Sequence, residues 1–226
     1  MEKKSLFLVS ISDYFTKEFI LLSLVPFLFS VGLFIGLYIS LVDVPSIEGS
    51  FFSDIFDNTL SLLLYALGGI ASIMLSLLSA IIIIGFLTPF AVKIIHKRHY
   101  EDVEHVSSIT FMHSLLFFAK IFAKFLALLI LFMPLYFIPA INALAIQVLF
   151  FYLFHTLLIF DVGSNIFSAS EYKKFKKERG FFILATNVVL FLISQIPFVG
   201  LLIPLFTVIV IAHIAFRYKK AAHSAQ

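Results

Sequence analysis

Long runs without a single charged side chain dominate this chain of 226 residues. Residues 19–42, 60–92, 125–160 and 181–216 contain no Asp, Glu, Lys or Arg. Because a helix of roughly 20 apolar residues crosses a bilayer core of about 30 Å, each run is long enough to enter lipid as a helix. The pattern predicts an all-α integral membrane protein with a single membrane domain over residues 1–226.

The first two runs, 19–42 and 60–92, predict two long transmembrane helices. The first run is longer than the apolar core of a signal peptide, about 7–15 residues, so we expect it to be retained. Residues 43–59 between them carry four acidic side chains and no Lys or Arg. Since Lys and Arg accumulate in cytoplasmic loops, this segment is predicted to be an external loop, with both termini in the cytoplasm.

Small residues are spaced for helix packing in both predicted transmembrane helices. Gly32 and Gly36 form a G-x-x-x-G pair, which lets a second helix backbone approach closely in lipid. In the second helix a ridge of small side chains recurs at every fourth position: Gly68, Ser72, Ser76 and Ala80. We interpret both patterns as packing surfaces, and a stripe that lines a pore is the alternative for the ridge.

The other two runs share a proline pattern near their middles. The sequence Ile-Pro-x-x-(Asn/Gly)-x-Leu occurs at residues 138–144 and again at 196–202. Proline ends a helix, and Asn or Gly three positions later tolerates a reversal of the chain. We therefore predict turns at Pro139 in the first run and at Pro197 and Gly200 in the second.

The two predicted hairpins, residues 125–160 and 181–216, have short charge-free arms. At 1.5 Å per residue the arms before the prolines measure about 21 and 24 Å, less than a bilayer core of about 30 Å. Basic residues flank both hairpins, so both are expected to enter and leave from the cytoplasmic side. Their turns would then be partly inserted, beside an aqueous cavity within the bilayer. The alternative is two tight hairpins that span a thinned membrane.

The polar segments between these elements are predicted on the cytoplasmic side. Residues 93–124 begin with a mixed basic and acidic stretch rich in histidine and continue as an amphipathic interfacial helix. The histidines lack the H-E-x-x-H spacing of a metal-binding helix, so we interpret the stretch as solvated and predict no metal site. Residues 161–180 are predicted to be a basic cytoplasmic linker.

Composition excludes several other classes of protein. Hydrophobic residues make up 62% of the chain and charged residues 13%, with a mean hydropathy of +1.10, whereas a globular protein has about half apolar and a quarter charged residues. The net charge of +3 comes from basic residues beside apolar runs, which suits membrane orientation rather than nucleic-acid binding. The lack of cysteine excludes disulfides and thiolate metal sites.

Few residues in the sequence could take part in catalysis or ion coupling. The sequence has no P-loop, G-x-S-x-G or G-x-G-x-x-G motif, and the apolar runs hold no carboxylate for acid–base catalysis or ion coupling. We therefore predict no catalytic residue, no enzyme activity and no cofactor. The remaining possibilities are a passive pathway, an anion site built from backbone amides, or a protein without transport activity.

Several short motifs follow one another in a specific order. Gly-Phe-Leu-Thr-Pro-Phe occupies residues 85–90, and Phe-Ile-Pro-Ala-Ile-Asn occupies 137–142. Asp161 follows the first predicted hairpin, Arg179-Gly180 ends the basic linker, and Ile-Pro-Phe-Val-Gly lies at 196–200. In this order and spacing the chain resembles the CysZ/EI24 family of membrane proteins over most of its length.

The resemblance implies a bacterial inner-membrane protein with two long transmembrane helices and two partly inserted helical hairpins. It also implies a homo-oligomer that takes part in sulfate entry for cysteine synthesis. Two positions differ from the family pattern. Phe15-Thr16-Lys17-Glu18 stands where the sulfate-uptake members carry Gly-Leu-Arg before the first membrane helix, and Val162-Gly163 replaces the Tyr-Pro that follows the motif aspartate.

The leading hypothesis is a passive permease or channel for sulfate or a similar small oxyanion. Its other expected partners are the lipid bilayer and a second copy of the chain, and no nucleic acid is expected. Lys17 would attract the anion at the inner mouth, where a helix N-terminus can assist, and Asn142 and Gln195 would offer uncharged donors at the hairpin turns. The alternative is a non-transporting scaffold that assembles partner proteins through its hairpins and small-residue ridges.

Overall fold

A computed structural model describes residues 5–42, 79–104, 111–138, 141–196 and 199–223. These described residues form seven α-helices. They are α1 (Leu6–Tyr14), α2 (Lys17–Val42), α3 (Ser79–His99 in its described part), α4 (Phe111–Leu131), α5 (Ile141–Ile166), α6 (Ala169–Ile193) and α7 (Ile203–His223). Two short 3₁₀ helices, Met133–Phe137 and Val199–Leu201, lie in the α4–α5 and α6–α7 connections. The described residues contain no strand, and the predicted all-α class is confirmed.

Three of these helices have segments long and apolar enough to cross a membrane: Lys17–Leu37, Ser79–His99 and Leu144–Ile166. The first lies mainly in the run predicted as the first transmembrane helix, and the second begins in the run predicted as the next one. The chain is therefore a membrane protein by the length and composition of its helices. The third segment lies in α5, in an arm of the first predicted hairpin.

Helix α5, which follows the first predicted turn, is longer than either charge-free arm counted before the prolines. It has 26 residues, about 39 Å at 1.5 Å per residue, against a bilayer core of about 30 Å. The sequence argument counted charge-free residues only, whereas backbone hydrogen bonding continues through charged ones. Thus α5 runs on past Asp161, and α4 includes Lys120 and Lys124 within its 21 residues.

The predicted linker at residues 161–180 is also mostly helical. Only Phe167 and Ser168 separate α5 from α6. Ser168 caps α6: its Oγ accepts a hydrogen bond from the Glu171 N–H at 3.4 Å, and a Glu171 carboxylate oxygen accepts one from the Ser168 N–H at 2.8 Å. This reciprocal capping box satisfies two N–H groups that would otherwise lack partners. The basic residues after it therefore lie on α6.

The two helical hairpins pack against each other through α5. Helix α4 contacts α5, α6 contacts α7, and α5 contacts both α6 and α7. Every residue from 207 to 216 of α7 is buried, so this helix lies at the centre of the described fold. The predicted turn residues Pro139 and Pro197 lie outside the described residues.

Two hydrogen bonds join helices in this arrangement. The Lys219 ammonium is 3% exposed and donates a hydrogen bond to the Ile166 carbonyl, the last residue of α5, at 3.1 Å. A cation at a helix C-terminus is stabilised by the helix dipole. Ser30 of α2 and Ser79 of α3 form a hydrogen bond of 3.1 Å between their hydroxyls. These contacts tie α7 to α5 and α2 to α3.

Many large apolar side chains remain on the outside. Prominent examples on α2, α4 and α6 are Leu28, Ile130, Leu131, Phe181 and Leu192, each more than half exposed. In water such surfaces would favour aggregation, whereas lipid tails accept them. Their distribution fits the membrane assignment.

The small residues singled out in the sequence have different surroundings. A Cβ added at Gly32 or Gly36 would meet no atom within 4 Å in the part of the chain that the structure describes. Ala80 is 1% exposed at the described start of α3, and the ridge residues Gly68, Ser72 and Ser76 lie outside the described residues.

Gly200 is a turn residue that cannot be enlarged. It is buried, its N–H donates to the Ile196 carbonyl at 2.8 Å, and a Cβ there would overlap the Ser194 carbonyl oxygen. Because the obstacle is backbone, a side chain at this position would force the α6–α7 connection to move.

Candidate functional site

The three residues predicted to bind an anion lie on different elements. Lys17 is exposed at the first position of α2, and Gln195 is exposed just after α6, where its side-chain amide donates to the Phe191 carbonyl at 3.2 Å. Asn142 lies at the start of α5, and its buried Oδ1 has no hydrogen-bond partner among the described residues. No hydrogen bond joins any two of these three side chains in the described part of the chain.

A second cation reaches the start of α2 from the end of α3. Arg98 donates from Nη1 to the Thr16 hydroxyl at 3.2 Å and from Nη2 to the Glu18 carboxylate at 3.2 Å. These two residues flank Lys17 in the sequence. The first backbone N–H groups of a helix lack intrahelical partners and carry partial positive charge. Lys17, Arg98 and the α2 N-terminus are therefore the positive groups at this end of α2, where Glu18 and Asp13 pair with Arg98. We call these positive groups the α2 mouth.

Beside the α2 mouth lies a buried polar group, which we call the Asp13 cluster: Asp13, Arg98, His99, Tyr100 and His213. Asp13 is the penultimate residue of α1 and is 3% exposed. One of its oxygens, Oδ1, accepts from Arg98 Nη1 at 3.1 Å, and Oδ2 lies 2.8 Å from Nε2 of His213. The cluster joins the end of α1 to the end of α3 and to α7.

The two histidines of the cluster meet at Asp13. Nε2 of His99 lies 3.0 Å from Oδ1 and 2.9 Å from Oδ2, so it is almost equidistant from the two carboxylate oxygens. His213 is fully buried, and its other ring nitrogen, Nδ1, lies 3.0 Å from the Tyr100 hydroxyl. Tyr100 also stacks on Phe216, with 5.1 Å between ring centroids. Both nitrogens of His213 are thus engaged.

Electrostatics keep Asp13 ionised. Burial alone would raise the pKa of its carboxyl, but hydrogen bonds from His213, His99 and Arg98 outweigh burial and lower the pKa from 3.8 to about 2. The pKa of Tyr100 is raised, chiefly by burial, so its hydroxyl stays protonated. The cluster therefore contains a fixed carboxylate and a neutral phenol at neutral pH.

Two of the sequence motifs that carry the family resemblance touch each other. Asp161 of α5 lies against Gly85 of α3, where an added Cβ would come within 3.0 Å of Asp161 Oδ2. Gly163 is packed as tightly, because a Cβ there would overlap the ring of Tyr172 on α6. The absence of side chains at these two glycines lets α5 approach α3 and α6.

A comparison with family models identifies the chain. The family described as sulfate transporter CysZ/etoposide-induced protein 2.4 matches residues 6–204, from the start of α1 to the start of α7. The chain belongs to this CysZ/EI24 family. No curated protein and no solved structure matches the chain significantly. CysZ/EI24 is a family of membrane proteins with a transporter in its description rather than an enzyme family.

Within this CysZ/EI24 protein, sequence reasoning missed two groups. Arg98 was assigned to a solvated segment, yet it reaches the start of α2, 80 residues away from Glu18 in the sequence. The Asp13 cluster brings together residues up to 200 positions apart. No spacing of residues along the sequence could predict these contacts. The family match ends at residue 204, before His213.

Proposed function

We propose that the chain is a permease that lets sulfate or a related small oxyanion cross the membrane passively. The observation that carries the proposal is the α2 mouth, where Lys17 is the first residue of α2 and the Arg98 guanidinium reaches the residues on either side of it. Helix N-termini bind sulfate and phosphate through free N–H groups and the helix dipole. The Arg98 guanidinium adds Nη2 as a charged donor, while its Nη1 stays bound to Asp13.

The neighbouring carboxylates suggest how the site would be controlled. Glu18 already accepts a hydrogen bond from Arg98, and its carboxylate is 55% exposed. A carboxylate held there shows that the position favours an anion, and it would compete with sulfate for the guanidinium. Release of Glu18 would therefore accompany sulfate binding.

The family suggests the cellular location and the oligomeric state that accompany the proposed function. It leads us to place the protein in a bacterial inner membrane, with both termini in the cytoplasm, as a homo-oligomer that supplies sulfate assimilation. Asn142 and Gln195 keep their proposed role as uncharged donors further along the path. Gln195 would have to release the Phe191 carbonyl to serve.

Uptake of radiolabelled sulfate into proteoliposomes tests the transport function. The wild-type protein should take up sulfate faster than empty vesicles, and Lys17→Ala should slow uptake up to about fivefold, since an exposed ion pair contributes up to about 1 kcal/mol. Lys174→Ala removes an exposed lysine from α6 and is the matched control, with no expected effect. Glu18→Gln should speed uptake at low sulfate concentration.

The outcomes separate the transport claim from the site. Wild-type uptake equal to that of empty vesicles would end the transport proposal and favour the scaffold alternative. Normal uptake by Lys17→Ala together with an unchanged Glu18→Gln variant would move the anion site away from the α2 mouth. Arg98→Lys keeps the charge but not the paired donors, so a loss in this variant would identify the guanidinium as the binding group.

A further inference from the structure

The Asp13 cluster contains the donor set of a metal site. Asp13, His99 and His213 each present one ligand atom, and these atoms lie within 4.8 Å of one another. Two imidazole nitrogens and one carboxylate oxygen are a common set of protein ligands for zinc and related divalent ions. We propose that these three residues bind a divalent transition-metal ion of the zinc class, at a site beside the α2 mouth, with Arg98 between the two sites.

The ligand atoms need little movement to accept the ion. Nε2 of His99 and Nε2 of His213 lie 2.9 and 2.8 Å from the same oxygen, Oδ2 of Asp13. In a tetrahedral zinc site with bonds of about 2.0–2.1 Å, the ligands are about 3.3 Å apart. The separation between each histidine nitrogen and the carboxylate oxygen therefore increases by about 0.5 Å to admit zinc. The side chain of His99 is 33% exposed, which leaves a path for entry and a coordination position for water.

Neighbouring side chains orient the ligands as outer-shell groups do in metal sites. Arg98 holds Oδ1 of Asp13 and leaves Oδ2 directed at the two histidines. The Tyr100 hydroxyl contacts Nδ1 of His213, and such a partner on the second ring nitrogen sets the tautomer of a ligating histidine.

Metal binding requires an unprotonated Nε2 on both histidines. His99, whose side chain is 33% exposed, releases a proton from this nitrogen to water, whereas the proton of His213 stays within the cluster. Without metal, Nε2–H of His213 donates to Asp13 and Nδ1 accepts from the Tyr100 hydroxyl. With metal, Nε2 must be unprotonated, so the proton lies on Nδ1 and the same hydroxyl accepts it. A tyrosine hydroxyl can do either, and neutral His213 needs to release no proton.

The local charge allows a dication. Asp13 supplies one negative charge, and Glu18 pairs with Nη2 of Arg98. Glu18 thus partly offsets the positive charge of Arg98 beside the site. A bound ion would join α1 to α3 and α7 by coordination bonds.

Equilibrium dialysis of the tag-free, full-length protein in detergent against Zn²⁺ tests this site. We expect one Zn²⁺ per chain, and Co²⁺ should give visible absorption typical of nitrogen and oxygen ligands. Loss of an outer-shell partner weakens metal binding about 10- to 100-fold. Tyr100→Phe should therefore weaken zinc binding by about that factor, and loss of a ligand in His99→Gln or Asp13→Asn by at least about 100-fold.

The choice of variants keeps the result decisive. His99 is partly exposed, so His99→Gln is expected to fold, and its far-UV circular dichroism verifies this. His96→Gln is the matched control, because His96 lies on the same helix with its ring bound to the Val103 carbonyl at 2.8 Å, outside the ligand set. Absence of zinc from the wild-type protein, or wild-type affinity in His99→Gln, would overturn the proposal and leave the cluster as a hydrogen-bonded network.

Discussion

The substitution Asp13→Asn removes the charge of the carboxylate that three helices share. The native carboxylate faces nitrogen donors at both oxygens, Arg98 at Oδ1 and His213 at Oδ2. An asparagine amide has one oxygen and one NH₂ group, so it can accept from only one of them, and His213 must either face a donor or move its proton to Nδ1. In either case the variant loses the hydrogen bonds that the charged carboxylate accepts, which are stronger than neutral ones.

The expected loss of stability depends on how far water can replace the hydrogen bonds that Asp13 makes. His213 is fully buried, and a hydrogen bond to a charged partner contributes about 1.5–3 kcal/mol. The side chains of Arg98 and His99 are 30% and 33% exposed, so water replaces part of their loss, and each contributes at most about 1 kcal/mol. We expect Asp13→Asn to lower the free energy of unfolding by about 2–3 kcal/mol.

Unfolding by sodium dodecyl sulfate in mixed micelles, followed by far-UV circular dichroism, measures this free energy. The method suits a chain without tryptophan or cysteine, which lacks indole fluorescence and thiols for dye labelling. Asp102→Asn is the control, because its ion pair with Lys220 is exposed on both sides and should contribute little to stability. If the two variants differ by less than about 0.5 kcal/mol, the Asp13 cluster does not stabilise the fold as argued.

Three further predictions test local features. Gly200→Ala should destabilise the protein by about 1–3 kcal/mol, because the added Cβ would overlap the Ser194 carbonyl. Gly180→Ala places its Cβ in open space on α6 and should stabilise the protein by up to about 1 kcal/mol. Unfolding in sodium dodecyl sulfate compares the two variants. Ser168→Ala should lower stability by about 1 kcal/mol through loss of the α6 cap, and no change in unfolding would contradict the capping role. In the folded protein the pKa of Asp13 is about 2, below its usual 3.8, so the stability that its carboxylate contributes is present above pH 4 and is lost as the pH falls towards 2. In an acid titration, the difference in unfolding free energy between wild type and Asp13→Asn should therefore shrink over that range.

The fold class and the family could be predicted because both depend on patterns along the chain. Charge-free runs fix the helical membrane class, and the short motifs around Asp161 and residues 196–200 carry the family resemblance. The lengths of the helices were harder to predict, because helices continue through charged residues. Ser168 and Glu171 form a capping-box spacing that the sequence displays, and this signal could have placed the start of α6 inside the predicted linker.

The candidate sites were predicted less completely, since they depend on packing. Lys17 was identified from its position before an apolar run, but Arg98 reaches it from a distant helix. The histidine-rich stretch was interpreted as solvated because its own spacing is unlike a metal motif. His99 gains ligand partners only when α1 and α7 pack beside it, and no pattern within residues 93–124 contains that information.

The pairing of Asp13 with His213 has a consequence for biogenesis. These residues are 200 positions apart, so the ribosome makes one long before the other. Each hairpin can assemble from neighbouring segments during synthesis, whereas contacts between distant segments have to wait. Arg98 and His99 can reach Asp13 earlier, but Asp13 meets the buried His213 only after α7 has emerged, so a nascent chain that stops before α7 leaves this acidic group with an incomplete set of partners.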